Sequence, residues 1–186
     1  MGNLDVKYNY IKEECLKSTS KNPLEIARTL MKSDLISING PEHHLLDGAA
    51  FLTAYKNAGG NIDLRLALDN LATRSILMPG ATCGYWGVCG ASTSLGAAFS
   101  IINHTSPLSN SDYYKDNMEY TSHVLGIMSK IGGPRCCKRN AFISLSYAIT
   151  FAKEKYGVIM ESSKIICEFA DKNPDCIKER CPFYKK

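Results

Sequence analysis

Residues 83–98 read CGYWGVCGASTSLGAA, and the rest of the chain is arranged around them. Cys83 and Cys89 are separated by five residues in a glycine-rich turn, and a run of small residues follows from Gly90 to Ala98. This run predicts a helix that another backbone, or a bulky cofactor, can approach closely. A glycine inside a helix costs about 1 kcal/mol relative to alanine, so Gly96 requires a packing reason.

Upstream, the chain reads as helices. Apolar or aromatic residues at Leu4, Tyr8, Ile11, Cys15 and Leu16 have helical spacing. Asn22 followed by Pro23 marks the start of a second helix, running to about Ser33. Glu42 to Ala58 is apolar nearly all round and is expected at the centre, ended by Gly59-Gly60. Asn61 or Asp63 opens a fourth helix with Leu64, Ala67, Leu68, Leu71 and Ile76 facing inward, stopped by Met78-Pro79-Gly80.

Downstream of the small-residue helix, Ser109 or Ser111 caps a helix ending near Ile131, and Gly132-Gly133-Pro134 is a hard stop. A last helix spans about Arg135 to Tyr156, with Gly157 closing it. Residues 158–186 lack a clear period; KIICEF within them is a possible short strand. There is no βαβ alternation and no repeat. The expected fold is all-α: one domain over residues 1–186, with a bundle of about seven helices over 1–157 and an irregular cysteine-bearing tail over 158–186.

Composition narrows the function. An apolar fraction of 45% and a charged fraction of 22% are ordinary for a globular protein, and a net charge of +4 is spread along the chain. No stripe of basic residues interleaved with aromatics is present, which argues against nucleic acid. No apolar run approaches the ~18 residues of a membrane span, and no charged segment leads into an apolar one at the start. A cytoplasmic location is therefore expected. The absence of GxGxxG after a strand and of GxxxxGK[ST] argues against a Rossmann methyltransferase or a P-loop enzyme.

Eight cysteines in a reducing compartment point to metal binding or redox chemistry rather than to structural disulfides. Cys15, alone in the first helix, reads as a buried small hydrophobe. The other seven form three groups. Cys167, Cys176 and Cys181 lie in a tail too irregular to hold its shape alone, and thiolate ligation to a metal would anchor it. The missing fourth ligand of a [4Fe–4S] or zinc site is available from Cys136 or Cys137. Those two adjoin Arg135, Lys138 and Arg139 at a helix start, where thiolate is favoured. Adjacent side chains on a helix point about 100° apart, so both cannot easily ligate one ion.

Cys83 and Cys89 are candidate reactive thiols. Trp86, the sole tryptophan, is a candidate cover, and Gly90 and Arg135 are candidate contacts for a cofactor. His44, next to His43 in GPEHH, is a candidate ligand or proton shuttle, although a solvated or capping role fits either histidine as well.

The strings GPEHHLLDGAAFLTAYKNAGG, CGYWGVCGA, GGPRCCKR and CPFY together resemble an uncharacterised cysteine-rich domain family of methanogenic archaea and anaerobic bacteria. The resemblance extends from about Gly40 to Tyr184. It implies an anaerobic setting suited to iron–sulfur chemistry and, because some members are attached to proteins described as SAM-dependent methyltransferases, a methyltransferase or redox protein as partner. A looser likeness to the cysteine-pair domain of heterodisulfide reductase implies that vicinal cysteines can serve as cluster ligands. The expected function is a cysteine-ligated, [4Fe–4S]-type protein acting on a small thiol or anionic substrate. Alternatives are a structural zinc or cluster module for a partner enzyme, and a metal-free dithiol oxidoreductase.

Overall fold

A computed structural model describes residues 2–185, and among them there are eight α-helices and no strand. The order is α1 (Gly2–Lys17), α2 (Pro23–Met31), α3 (His43–Asn57), α4 (Leu64–Ile76), α5 (Thr82–Tyr85), α6 (Gly90–Ile102), α7 (Asp112–Ile131) and α8 (Cys137–Tyr156). The tail carries two single 3₁₀ turns, Ala170–Lys172 and Lys178–Arg180.

Local chemistry sets most boundaries. The Asn22 side chain accepts from the amides of Leu24 and Glu25, and Pro23 takes the first helical position. Asp63 caps α4 through the amide of Leu66, and Gly157 ends α8 in a left-handed conformation. The eighth helix beyond the expected seven is α5, one turn formed inside the cysteine loop itself. Residues 164–169, KIICEF, are irregular, because no neighbouring segment offers a ladder to pair with. Ile76 points outward, being on the last turn of α4 past the buried face.

Helix α3 is the axle. Every residue from His43 to Tyr55 is buried, and α1, α2, α4, α6 and α8 all pack against it. Helix α6 lies between α3, α4, α7 and α8, and its small residues permit that crowding. A methyl group on Gly96 would stand 2.6 Å from Cγ2 of Thr121 on α7, which is the packing reason its glycine requires. Behind this contact is an aromatic nest centred on Phe99, whose ring centroid lies 4.9 Å from Phe51, 4.8 Å from Tyr120 and 5.0 Å from Phe151. The wholly buried Tyr120 hydroxyl donates to the Ser144 carbonyl at 2.7 Å, so the nest carries no unpaired phenol there. Cys15 is fully buried among the α1 contacts, as a small hydrophobe should be.

The tail is tied to the bundle at three points. The Glu161 amide donates to the Lys21 carbonyl at 2.9 Å, and Asn22 Nδ2 donates to Ser163 Oγ at 3.0 Å. Glu168 bridges Arg28 and Lys32 of the α2 region at 2.8 and 3.0 Å. Finally, the Cys167 amide donates to the Phe183 carbonyl at 2.7 Å, closing the cysteine loop, and the Phe183 ring meets Phe142 of α8 at 5.6 Å.

Candidate functional site

The α8 start distributes the cysteines. Cys136 is its N-cap, with extended backbone and a sulfur that accepts from the Arg139 amide at 3.4 Å. Cys137, one residue on, is helical and its side chain turns away; its amide donates to Asn39 Oδ1 at 2.9 Å. Cys137 lines one of the two cavities here, and Cys136 lines both.

The first cavity lies between α8 and the tail. Cys136, Cys167, Cys176 and Cys181 all line it, together with Lys138, Arg139, Phe142, Phe169 and Phe183. The tail presents its sulfurs through tight local turns: the Phe169 amide donates to Cys167 Sγ at 3.4 Å and the Lys178 amide to Cys176 Sγ at 3.5 Å. Burial pushes the Cys167 and Cys181 thiols up, and the negative charge of Cys136 and the neighbouring tail thiols acts in the same direction.

Two cations form part of this wall. Lys138 is 0% and Arg139 5% exposed, and neither has a carboxylate partner among the described residues. Lys138 Nζ donates to the Ser37 carbonyl at 2.9 Å and lies 5.2 Å from the centre of the Phe169 ring. Burial lowers its pKa to about 8. Arg139 donates to the carbonyls of Gly132 and Pro134 and to Asn140 Oδ1, while its Nη1 has no partner. Lys138 Nζ also lies 3.4 Å from His43 Nε2, and the more distant Asp47 favours its charged form. Buried charge without a direct ion pair is costly, and both cations line the cavity of the four thiols.

The second cavity adjoins the first at Cys136, which lines both. Its walls are His43, His44 and Asp47 of α3, Cys83 and Thr82 of α5, Cys89 and Gly90 at the start of α6, and Arg135, Cys137 and Asn140 at the start of α8. Both histidines of GPEHH are buried, rather than one facing solvent, because α3 is enclosed on all sides. His44 Nδ1 faces the Met78 carbonyl at 3.2 Å, so Nδ1 carries the proton and Nε2 the lone pair. Burial lowers the His44 pKa, keeping the ring neutral. A methyl on Gly90 would collide with the Nε2 edge of that ring, so only glycine fits there.

Asp47 is wholly buried, with no hydrogen-bond partner for either carboxyl oxygen; His43 Nδ1, the nearest basic atom, is 3.8 Å away. Burial raises the Asp47 pKa. Asn140 Nδ2 donates to Cys89 Sγ at 3.2 Å, its amide oriented by Arg139 Nε on the opposite oxygen. Burial raises the Cys89 thiol, with the Asn140 bond working against it, and pushes Cys137 up to about 12. A groove lined by Cys83, Cys89, Gly84, Gly87, Gly132 and Gly133 opens from this cavity to the surface, with Arg135 on its side.

The seven clustered cysteines thus divide into two back-to-back cavities rather than one. Cys136 joins the tail set, and Cys137 joins Cys83 and Cys89. Gly90 and Arg135 line the second cavity. Trp86 does not cover either cavity: it is 68% exposed, because the one-turn helix α5 projects Tyr85 and Trp86 outward. Asp47 and Asn140 were not legible as site residues, since each sits within an otherwise ordinary helical pattern; only the Asp in an apolar run was a visible signal. Among the described residues, no three of His, Cys, Asp and Glu converge on a point that would suit one metal ion.

Fold and cavities define an all-helical, cysteine-rich protein with paired thiol-lined pockets. The chain belongs to the family of unknown function DUF5714, whose model matches residues 11–184. No curated protein and no solved structure matches it significantly. No helix among the described residues is long and apolar enough to cross a membrane.

Proposed function

We propose that the chain is an iron–sulfur protein whose [4Fe–4S]-type cluster is held by Cys136, Cys167, Cys176 and Cys181. The carrying observation is the pairing, in one cavity, of four thiols with two buried cations that have no carboxylate within ion-pair distance among the described residues. Four thiolates on an iron–sulfur core make an anion, and Lys138 and Arg139 supply the compensation such an anion needs. A structural zinc ion held by the same four thiolates is the second reading, and metal analysis separates the two. An iron–sulfur cluster would take Cys136, Cys167, Cys176 and Cys181 as its four ligands.

When bound, the cluster supplies one-electron transfer, which fits a redox role with a redox protein as partner. The chain's own residues do the rest. Lys138 and Arg139 favour the more negative state, Phe142, Phe169 and Phe183 exclude water, and the Cys167–Phe183 bond keeps the tail closed over the site.

The test is anaerobic purification with iron and acid-labile sulfide analysis. Serine variants of Cys136, Cys167, Cys176 and Cys181 should each lose the visible absorption, while Cys137→Ser should keep it. A protein without iron and sulfide after reconstitution, or a Cys137 variant as colourless as the other four, would refute the assignment.

A further inference from the structure

We infer that the second cavity is a thiol–disulfide exchange site, with Cys83 attacking and Cys89 resolving, for a small amino-acid-type disulfide. The inference goes beyond the cluster reading and does not depend on it.

The two thiols have complementary settings. Cys83 is exposed and lines both the cavity and the surface groove, the position of a thiol that meets substrate first. Cys89 lies behind it, at the start of α6, oriented by the Asn140 amide at 3.2 Å. His44 is 8% exposed, and its Nε2 lone pair has no protein partner and lies against Gly90, the residue next to Cys89. His44 thus shares the cavity wall with Cys83 and Cys89 as a neutral base.

The ligand's chemistry follows from what the cavity leaves unsatisfied. A wholly buried carboxyl with two unpartnered oxygens, Asp47, calls for a donor from outside, and an ammonium group supplies one along with compensating charge. Arg135, exposed beside the groove, suits a carboxylate. A small disulfide carrying both groups satisfies each end.

The exchange balances without any further reagent. Cys83 thiolate attacks one substrate sulfur, the substrate S–S bond breaks, and the first thiolate leaves and takes a proton from water. His44 Nε2 accepts the Cys89 proton. Cys89 thiolate then attacks the Cys83 sulfur of the mixed disulfide, and the second substrate thiolate leaves, protonated by the His44 imidazolium. The substrate gains two electrons and two protons; the protein ends with a Cys83–Cys89 disulfide, which an external dithiol restores.

The experiment uses full-length, anaerobically purified protein, fully reduced, mixed with cystine in single turnover. Two thiols per protein should be released, and peptide mapping should place the new disulfide between Cys83 and Cys89. Cys89→Ser should stop at one thiol with a mixed disulfide on Cys83, and Cys83→Ser should release none. Asp47→Asn should raise the half-saturating cystine concentration roughly tenfold to a hundredfold while leaving dithiodipropionate, which lacks the ammonium, unchanged. Release of both thiols by the Cys89 variant, a disulfide mapped to Cys89–Cys137 or to the tail cysteines, or an Asp47 variant that still prefers cystine would overturn the proposal.

Discussion

Replacing Lys138 by methionine should have opposite effects on the metal-free and the cluster-loaded protein. In the metal-free protein the ammonium is fully buried, and burial pulls its pKa from 10.5 to about 8. At 1.36 kcal/mol per pKa step, keeping it charged costs about 3 kcal/mol near neutral pH. The folded value lies below the unfolded one. The penalty is therefore complete below pH 8 and disappears as the pH rises towards 10.5.

Methionine removes that penalty and fills nearly the same volume beside Phe169. The 3.4 Å contact of Lys138 Nζ with His43 Nε2 is lost as well, which frees that nitrogen to carry the ring proton and donate to the Ser37 carbonyl at 3.2 Å. After subtracting the lost lysine hydrogen bond and ring contact, the net gain is about 2 kcal/mol, or roughly 4–8 °C in melting temperature for a chain of this size. With the cluster bound, the same change removes half of the local positive charge. Iron retention should fall, and the midpoint potential of any retained cluster should move to more negative values. The assay is thermal melting of both forms, with iron titration and potentiometry. A metal-free Lys138→Met protein less stable than the parent, or a loaded one equally stabilised, would refute the idea that Lys138 is held for an anion.

Two other outcomes concern Glu42 and Gly90. Burial alone would raise the Glu42 pKa, but bonds from its own backbone, Lys7 and the Ser37 amide prevail and hold it at about 2, against 4.5 unfolded. Its contribution, about 3 kcal/mol, is complete above pH 4.5 and lost as the pH falls towards 2. A Glu42→Gln protein should accordingly show a flatter acid-denaturation curve, and an unchanged curve would contradict this. Gly90→Ala should cost about 1–3 kcal/mol in a denaturant titration by forcing the His44 ring aside, and should slow the second thiol release more than the first. A variant with parental stability would mean that the ring is free to move.

Helix order and class were legible because the 3.6-residue period, the Asn22-Pro23 cap and the Gly-Pro stops are local signals. Even the centrality of α3 could be read, from a run apolar on every side. The one-turn helix α5 was not, since four residues in a glycine-rich loop carry no period, and Trp86 was misjudged for the same reason: a lone tryptophan has no local sign of facing in or out. The seven cysteines were visible as a set and correctly separated from Cys15.

By itself the sequence determined that Cys83–Ala98 joins a thiol-bearing turn to a helix of small residues, and that the tail brings three more thiols. Only the tertiary structure decided how they are shared. At the start of α8 the extended N-cap Cys136 lines the tail cavity as well as the second one, while the first helical residue, Cys137, lines only the second. The fold also set two buried cations beside the first thiol set, and a buried carboxyl and a neutral imidazole beside the second. Such pairings join residues up to about a hundred positions apart, and long-range juxtaposition of that kind leaves no trace in local periodicity.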